Sequence, residues 1–593
     1  MLLSSLFSLS FRKNPFVWDP AKKAFYVWSQ DLADQLALPI TWTGLQVDSR
    51  KIATGEVFLA HQGHDLDGHS FLPQAYAQGS RIFVVEKEKE GILPLVQNFS
   101  EPCLFFSVPP DSFAKTLGDL SALAYGHPEE KLTLVGITGT KGKTTSSFYL
   151  YEMLNAFGIK TGLIGTCGVY LPPSDWKSPF LSQDWSIEDP LASALSRQGA
   201  RQEANRTTTL QSLIAGPYQV LANTTPGAPL LWEVLQTFVK AGVKVAVLEY
   251  SSQAGKDGRC AGLTFDHAVW LNLFRDHIGP REHPTQEDYR ASKAKLFTQA
   301  RMIHLNCRGE GLAYFEEKAK ETGLPLRYFS QEAEESDLHL SAESDPHSSA
   351  LIGLKSKGEP GPLSFGEFFT YANRSFYLQE PGSFNRENIG AALSVAAEII
   401  PEFSQKLDLL AQITPALKVP GRMNLYPCKD FYCIIDYAHN GVSLRSCLKA
   451  VQEIQSNIAE LPTYQTYLAG GGAHSRILCL FGSVGGKTKE RRRELPEAAA
   501  AYASVMMLTS DNPEYEDPEQ ILADMKAAVP PAFPQEQVFA CADRREAIHQ
   551  ILSMAQPYDL VVFAGKGHEN FQLIRGKRVH LDELAEIQAF GGQ

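Results

Sequence analysis

The stretch that decides the fold reads Leu132-Thr-Leu-Val-Gly-Ile137 and continues Thr138-Gly-Thr-Lys-Gly-Lys-Thr-Thr145. Its first part is an apolar run that predicts a buried strand, and an apolar-periodic segment from Ser146 predicts a helix. A glycine-rich turn between a strand and a helix N-terminus gathers backbone N–H groups and the positive end of the helix dipole around one anion. The pattern therefore predicts a phosphate-binding loop.

Within this loop, Lys143 is expected to reach the β- and γ-phosphates and Thr144 to ligate magnesium. The strict pattern would need glycine at Ile137, whereas the chain has Gly139-x2-Gly142-Lys143-Thr144. The alternative is an ordinary tight turn with an incidental lysine, which the two hydroxyls and the lysine directly before a helix disfavour. The ATP-binding candidates in the loop are Gly139, Thr140, Lys141, Gly142, Lys143, Thr144 and Thr145.

Short apolar runs alternate with helical patterns through most of the chain. Clear examples lie at 132–137, 243–248, 477–481 and 560–563, each before a polar or glycine-rich turn. This alternation favours α/β units with parallel sheets, and open sheets of this kind place ligands at such turns. We therefore predict an α/β fold.

The composition limits the class of protein. At ~150 residues per domain, 593 residues suggest three or four domains, which excludes a small binding module. A hydrophobic content of 44% excludes global disorder, and a net charge of -12 disfavours nucleic acid as the main partner. Nine scattered cysteines, of which the closest pair lacks zinc-site spacing, indicate reduced thiols.

Targeting signals are not evident in the sequence. The short apolar run near the N-terminus is followed by Arg12 and Lys13 without a cleavage site, and no window approaches the ~20 apolar residues of a membrane span. We expect a cytoplasmic protein, without membrane insertion and monomeric.

Proline-containing segments at 108–111 and 418–421 suggest linkers. They divide the chain into 1–110, 111–420 and 421–593. Three polar stretches, 172–206, 331–359 and 455–474, are predicted to be surface insertions, and the second contributes much of the acidic excess.

A second cluster of polar residues follows two further predicted strands. The run 243–248 ends at Glu249, whose carboxylate could hold magnesium or serve as a cap. The run from Val269 leads to Asn272, Asp276 and His277, and this histidine could be a metal ligand or structural.

In this order the motifs resemble the Mur ligase family, and its MurE type most. The central matches are 139–145, 223–225, 249–252, Arg259, 272–277 and Lys293. The N-terminal matches are 48–50, Gly55, Phe58 and 63–68, and the C-terminal ones are 421–423, 436–439, 511–513, 543–544 and 565–569. The resemblance covers nearly the whole chain outside the three stretches predicted as insertions.

The resemblance implies a three-domain ligase for peptidoglycan precursor synthesis. It implies an N-terminal UDP-sugar-binding α/β domain, a central ATP-binding domain with a P-loop ATPase-like parallel sheet, and a C-terminal Rossmann-like domain that binds an amino acid. Such enzymes use ATP and magnesium to convert the carboxylate of UDP-MurNAc-L-Ala-D-Glu into an acyl phosphate, which the amine of an L-amino acid then attacks. Because carboxylate and phosphate repel each other, the step needs cations, which Lys143, magnesium and Arg259 could supply.

The resemblance also implies a role for particular residues. The catalytic set is Lys143, Glu249, Arg259, His277 and Lys293. The metal set is Thr144, Glu249, His277 and Lys293, the last as a carbamate, although a plain surface lysine is the alternative. Further nucleotide contacts are Asn272, Asn388, Arg422 and Asp436. The UDP-MurNAc-peptide set is Ser49, His64, Asp65, Leu66, Asn223, Thr224, Thr225, Ser251, Asp257 and Arg259. The amino-acid set is Asp511, Asn512, Pro513, Glu514, Gly565 and Glu569.

The sequence departs from the family at Glu514. Members that select meso-diaminopimelate resemble Asp-Asn-Pro-Arg, where the arginine grips the distal carboxylate. A carboxylate there would attract a distal ammonium, so we predict L-lysine, or ornithine, as the added amino acid. The alternative is meso-diaminopimelate, with a clamp supplied by the basic run Lys489, Arg491, Arg492 and Arg493, which could equally be a solvated surface.

Other classes of protein fit the sequence less well than a MurE-type ligase. A folate polyglutamylase lacks the pattern at 48–68, and a MurF-type ligase is disfavoured by 249–252, Arg259 and 565–569. A Mur-type paralogue with another carboxylate substrate remains open. A non-catalytic nucleotide-binding protein is disfavoured by Lys143, Glu249 and Lys293.

Overall fold

The computed structural model describes residues 6, 15–38, 41–63, 66–172, 219, 221, 223–279, 282–331, 338–342, 366–486 and 489–591. In these ranges the helices are Gln30–Gln35 (α1), Leu72–Ala77 (α2), Lys89–Val96 (α3), Pro110–Tyr125 (α4), Lys143–Ala156 (α5), Leu230–Lys240 (α6), Ser252–Asp257 (α7), Gln286–Ala294 (α8), Leu312–Glu321 (α9), Phe384–Ile399 (α10), Leu407–Ile413 (α11), Gly441–Ala459 (α12), Pro462–Ala469 (α13), Arg491–Ala500 (α14), Pro518–Ala527 (α15), Arg544–Met554 (α16) and Glu583–Gly591 (α17). Among them, none is long and apolar enough to cross a membrane.

The first sheet is built from the N-terminal part of the chain. Its strands are Phe16–Asp19 (β1), Ala24–Val27 (β2), Leu45–Gln46 (β3), Val57–Ala60 (β4), Ile82–Val85 (β5) and Cys103–Ser107 (β6). Their order is β2-β1-β6-β5-β4-β3, with β3 to β6 parallel and the β1 pairings antiparallel. Helix α4 begins at Pro110, and its Phe113 and Leu120 pack into the core of this first sheet.

The second sheet is the largest and carries the phosphate loop. Its strands are Thr133–Thr138 (β7), Thr161–Gly165 (β8), Gly168–Tyr170 (β9), Val245–Glu249 (β10), Phe265–Trp270 (β11), Ala300–Asn306 (β12), Leu326–Gln331 (β13), Leu338–Ala342 (β14), Glu367–Tyr371 (β15) and Arg374–Leu378 (β16). Their order is β16-β15-β14-β13-β12-β11-β7-β10-β8-β9. Strand β7 pairs in parallel with both β10 and β11, so the polar residues that follow these three strands meet at one edge of the sheet.

The third sheet is C-terminal. Its strands are Asn424–Cys428 (β17), Phe431–Asp436 (β18), Ile477–Ser483 (β19), Val505–Ser510 (β20), Val538–Cys541 (β21) and Leu560–Ala564 (β22), in the order β17-β18-β22-β19-β20-β21. All pairings except β17 with β18 are parallel. A short hairpin, Phe571–Ile574 (β23) and Lys577–His580 (β24), follows it. The predicted α/β class is confirmed, and the four apolar runs form β7, β10, β19 and β22.

Two of the stretches predicted to be surface insertions contain core structure, which corrects the sequence analysis. In 455–474, helices α12 and α13 bury Ile458 and Tyr464, since apolar residues recur there at helical spacing. In 331–359, strand β14 adds Leu338 and Leu340 to the core of the central sheet. The rest of that stretch, and 173–206 of the first one, lie outside the described residues. The divisions at 110 and 420 stay a prediction.

Two glutamates, the partly buried Glu152 and the buried Glu380, hold the segment that leads into the third sheet. On α5, the helix that follows the phosphate loop, Glu152 Oε2 accepts a hydrogen bond from the Lys418 backbone N–H at 2.8 Å. Glu380 Oε1 accepts one from the next residue, Val419, also at 2.8 Å. The segment joining the two sheets is therefore fixed to the phosphate-loop helix.

Candidate active site

The phosphate loop adopts the geometry that its sequence predicts. Gly142 precedes α5 with φ of +87°, a backbone conformation that favours glycine. A Cβ at Gly142 would also lie 2.2 Å from Asn388 Oδ1, so no side chain fits there. Asn388, expected near the nucleotide, thus lies against the loop, where its amide N–H also donates to Asn385 at 3.0 Å.

Two lysines of the loop are partly buried. Lys143 Nζ donates to the carbonyl oxygens of Gly139 and Thr140 at 2.8 and 3.2 Å. Lys141 Nζ lies 3.1 Å from Asp276 Oδ2. Burial lowers the pKa of both lysines, although nearby carboxylates oppose the shift. The loop therefore holds concentrated positive charge that a polyphosphate would neutralise.

Asn272 braces the loop from the neighbouring strand end. Its side-chain oxygen accepts from the Lys141 backbone N–H at 2.9 Å, and its amide N–H donates to the Lys141 carbonyl at 3.2 Å. This contact fixes the loop conformation. The adenine contact expected for Asn272 stays a prediction.

Glu249 is the centre of a buried oxygen cluster beside the loop. Its carboxylate is wholly buried and accepts hydrogen bonds from the hydroxyls of Thr144 and Thr166, each at 3.0 Å. The Thr166 backbone N–H also donates to it at 2.9 Å. A carboxylate beside a threonine hydroxyl is an oxygen donor set that suits Mg²⁺, so the predicted metal ligands Thr144 and Glu249 do lie together.

The cluster continues from the phosphate loop into the predicted peptide-binding segment. The hydroxyls of Thr166 and Thr224 lie 3.1 Å apart, and the Thr225 hydroxyl donates to the Glu249 carbonyl at 2.6 Å. Ser251 N–H donates to the Thr225 hydroxyl at 3.0 Å. Arg259 donates to the Thr225 carbonyl at 3.2 Å and pairs with Asp257 at 2.9 Å. A continuous polar path thus joins these residues.

Lys293 is buried beneath the loop, which excludes the alternative of a surface lysine. It is 1% exposed, and its Nζ donates to the Gly139 carbonyl at 2.8 Å and lies 4.6 Å from the Tyr289 ring centre. Burial, reinforced by the charge of Lys143, lowers its pKa well below the ordinary value. Loss of a proton from the Lys293 ammonium is therefore easier than from an exposed lysine.

His277 lies in an exposed turn near the loop. Its backbone is left-handed, with φ of +57°, and its ring nitrogen Nδ1 lies 2.9 Å from Glu282 Oε1. In the described part of the chain this carboxylate, and not Glu249, is the hydrogen-bond partner of the ring. The metal role of His277 stays a prediction.

The third sheet contributes charged residues that face the phosphate loop. The Arg422 guanidinium lies 4.5 Å from the Tyr437 ring centre, and its charge helps to lower the pKa of Lys143. Asp436 accepts from the Met423 backbone N–H at 2.9 Å, and burial raises its pKa. Asp436 therefore braces the chain beside Arg422, while direct nucleotide contact stays a prediction for both.

The predicted amino-acid site contains a buried lysine that the sequence analysis did not select. Lys566 Nζ lies 2.6 Å from Glu569 Oε2, 3.0 Å from Asn512 Oδ1 and 3.4 Å from Asp511 Oδ1. Gly565 and Pro513 flank this group in the chain. Glu514 follows it in a left-handed conformation, with φ of +53°, and its backbone N–H donates to the Leu573 carbonyl at 2.9 Å.

The basic run at 489–493 does not form one clamp. Arg492 is buried and pairs with Glu516 at 2.7 Å and Asp524 at 2.8 Å. Arg493 pairs with Glu497 on the surface at 3.3 Å. Arg491 approaches Asp276 of the central sheet, with Nη2 3.8 Å from Oδ1.

The residues predicted to bind the UDP end of the substrate lie in connections between strands of the first sheet. Ser49 is buried and its hydroxyl donates to Gln74 at 2.8 Å. Leu66 is 67% exposed. His64 and Asp65 lie outside the described residues.

The sequence analysis missed Thr166, and it gave no role to Asp276 or Lys566, although both lie within motifs that it named. Thr166 follows β8, a short run whose glycines weaken the strand signal, and Lys566 stands within a quoted motif without a recognised role. For Thr166, the available signal was a polar residue directly after a strand, as for Glu249.

Three family models match the chain in order. They are "Mur ligase family, catalytic domain" at 41–122, "Mur ligase middle domain" at 137–396 and "Mur ligase, glutamate ligase domain" at 421–567. A relative from Synechococcus elongatus, named UDP-N-acetylmuramoyl-L-alanyl-D-glutamate--2,6-diaminopimelate ligase, is 31% identical and covers 93% of this chain and 94% of its own length. One of the same name from Thermosynechococcus vestitus is 30% identical and covers 92% of each.

Solved structures agree with these matches. A ligase structure titled with the same 2,6-diaminopimelate name is 26% identical, with a TM-score of 0.54, and covers 93% of this chain and 95% of that one. The MurF ligase from Thermotoga maritima in complex with ADP, 16% identical with a TM-score of 0.50, shares the fold.

The phosphate loop on the central sheet, the buried glutamate beside it and the matches to ligase models and relatives together identify an ATP-dependent ligase of amino acids. The chain belongs to the Mur ligase family, with the three-domain architecture of that family, and its similarity is to the MurE type.

Proposed function

We propose that this ligase joins 2,6-diaminopimelate to UDP-MurNAc-L-Ala-D-Glu at the expense of ATP. The observation that carries the proposal is the polar path from Thr144 through Glu249, Thr166 and Thr224, because it places the phosphate loop beside the segment expected to hold the peptide. The names of the relatives support the choice of substrates. The cytoplasmic location and the monomeric state stay predictions.

The geometry supports phosphoryl transfer followed by amine attack. An oxygen of the substrate carboxylate attacks the γ-phosphorus of ATP, ADP leaves, and the resulting acyl phosphate loses phosphate when the amine attacks its carbonyl carbon. Lys143 and Arg259 reduce the repulsion between the two anionic reactants. Thr144 and Glu249 would hold a magnesium ion, which supplies further neutralisation of the phosphates when bound.

Lys293 is proposed to complete the metal site as a carbamate. Burial favours the neutral amine, which can attack carbon dioxide through Nζ and lose a proton, so that the side chain gains an anionic carbamate whose oxygens can bind a metal. The carbonyl of Gly139, which Nζ contacts at 2.8 Å, places this group next to the phosphate loop.

The amino-acid prediction changes from L-lysine to 2,6-diaminopimelate. The argument for lysine rests on Glu514 alone, whereas relatives at 31% and 30% identity are named as diaminopimelate ligases. The proposed carboxylate clamp cannot be the whole basic run, since Arg492 and Arg493 already pair with other carboxylates. Lys489 and Arg491 are left as candidates from that run.

A turnover assay tests the function directly. Phosphate release would be followed with ATP, magnesium, UDP-MurNAc-L-Ala-D-Glu and one of diaminopimelate, lysine or ornithine. We expect turnover with diaminopimelate, its loss in Lys143→Ala, and unchanged turnover in Lys320→Ala, an exposed lysine paired with Glu316. A preference for lysine would restore the Glu514 argument, and no turnover with any amino acid would support a different substrate or a nucleotide-binding protein.

A further inference from the structure

A single aspartate connects the phosphate loop to the C-terminal part of the chain. Asp276 follows β11 of the central sheet, and its side chain is 12% exposed. Its Oδ2 accepts hydrogen bonds from Lys141 Nζ and from Asn440 Nδ2, each at 3.1 Å. Its Oδ1 lies 3.8 Å from Arg491 Nη2 and accepts from the His277 backbone N–H at 3.0 Å.

The donors come from both the central and the C-terminal parts of the chain. Lys141 belongs to the phosphate loop, whereas Asn440 is the N-cap of α12 and Arg491 is the first residue of α14. The Asn440 side-chain oxygen caps α12 by accepting from Ser443 N–H at 3.0 Å, which leaves its amide N–H groups directed to Asp276. The contact is therefore built from defined groups on both sides.

Charge explains why the contact depends on ionised Asp276. Its carboxylate accepts a hydrogen bond from Lys141 Nζ at 3.1 Å and lies 3.8 Å from Arg491 Nη2, so its negative charge lies between two cations. Lys141 and Arg491 repel each other, as the lowering of the Lys141 pKa by Arg491 indicates. A neutral side chain at position 276 would leave two cations facing each other in a poorly solvated site.

We propose that Asp276 is a positioning residue that holds the C-terminal helices against the phosphate loop during ligation. Helices α12 and α14 belong to the C-terminal part of the chain that also carries Asp511 and Lys566, so this contact sets the distance between the acyl phosphate and the incoming amine. The inference rests on the proposed function for its substrates. It also assigns a role to Arg491, in closure rather than in binding the amino acid.

Kinetics of matched variants test this role. Asp276→Asn keeps the size and an acceptor for His277 N–H but removes the charge, and Arg491→Gln removes the opposing cation. We expect each to lower kcat/KM for the amino acid about 10- to 100-fold, with KM for the UDP substrate changed less than about twofold. Arg491→Lys should retain about half of the activity, and the control Arg493→Gln, on the same helix, should match the wild type.

The double variant separates coupling from independent damage. If Asp276 and Arg491 act through one contact, Arg491→Gln should lower kcat/KM less than about threefold further in the Asp276→Asn background. Losses that multiply, or a normal kcat/KM in Asp276→Asn, would overturn the proposal. Equal increases in KM for all substrates would also overturn it, because they would indicate general damage to the fold.

Small-angle scattering gives a readout that does not need turnover. With ADP and magnesium, Asp276→Asn and Arg491→Gln should both have a larger radius of gyration than the wild type, while Arg493→Gln should not. Equal radii would count against the contact even if the enzyme is active. An absence of turnover in the wild type would refute the proposed function, whereas the scattering result would still decide the role of Asp276.

Discussion

Replacing Glu380 with glutamine should change how the stability of the protein depends on pH. Glu380 is 3% exposed and accepts from Val419 N–H at 2.8 Å and from the Tyr149 hydroxyl at 3.2 Å. Burial raises its pKa from 4.5 to about 7, although these hydrogen bonds oppose the shift. At 1.36 kcal/mol per pH unit, the shift corresponds to about 3 kcal/mol of unfolding free energy.

The sign follows from the direction of the shift. Since the folded-state pKa is above the unfolded one, the stabilisation is present below pH 4.5 and is lost as the pH rises through about 7. Glutamine keeps an acceptor for Val419 N–H and a group that can bond Tyr149, but it cannot ionise. The stability of Glu380→Gln relative to the wild type should therefore rise by about 3 kcal/mol between about pH 4.5 and pH 8.

Denaturant unfolding followed by circular dichroism measures this difference. The free energy of unfolding would be determined for the wild type, Glu380→Gln and the control Glu321→Gln, an exposed glutamate paired with Lys318. Only Glu380→Gln should diverge from the wild type as the pH rises. If the free energies of unfolding of Glu380→Gln and the wild type changed with pH in the same way, the assignment of the raised pKa to Glu380 would be refuted.

Three further predictions concern the site and the core. Glu249→Gln should lower kcat roughly 10²- to 10³-fold, because it removes the charge that would hold magnesium. An unchanged circular dichroism spectrum would show that the fold is kept. A normal kcat would contradict the proposed role of Glu249. Lys293→Ala should be inactive, and short carboxylic acids should restore part of its activity. Labelled bicarbonate should give a carbamate signal by ¹³C NMR in the wild type but not in Lys293→Ala. Failure of both experiments would argue against carbamylation. Ile458→Ala should destabilise the protein by about 2–5 kcal/mol in the same denaturant assay, whereas the exposed Ser456→Ala should not, and equal effects would contradict the burial of Ile458.

The phosphate loop could be predicted because its determinants are local. Strand β7, the glycines and Lys143 lie within one short stretch, so the sequence pattern contains the backbone geometry as well as the side chains. The Glu249 cluster could be predicted only in part, since Thr166 reaches Glu249 across the sheet from a separate strand. Contacts between distant segments depend on strand order, β10 lying between β7 and β8, which no local pattern specifies.

Polarity misled the prediction of two core segments. Helix α13 and strand β14 lie in stretches rich in polar residues, but each contributes a few apolar side chains at the spacing that its secondary structure requires. Tyr464 and Leu340 are buried because their positions face the core, while their polar neighbours face away. Periodicity was therefore a better guide to burial than average composition in both segments.

The choice of amino acid shows the limit of reasoning from one side chain. The prediction of lysine rested on Glu514 alone, yet the buried Lys566 ammonium lies 3.4 Å from Asp511 and 2.6 Å from Glu569 and partly neutralises these two carboxylates. The backbone of Glu514 is held in a left-handed conformation by its bridge to Ile574, so the hairpin that follows β22 helps to direct its side chain. If these four residues form the proposed amino-acid site, their combined charge would decide between a distal carboxylate and a distal ammonium, and Lys566→Gln should shift the preference of the enzyme towards an amino acid with a distal ammonium.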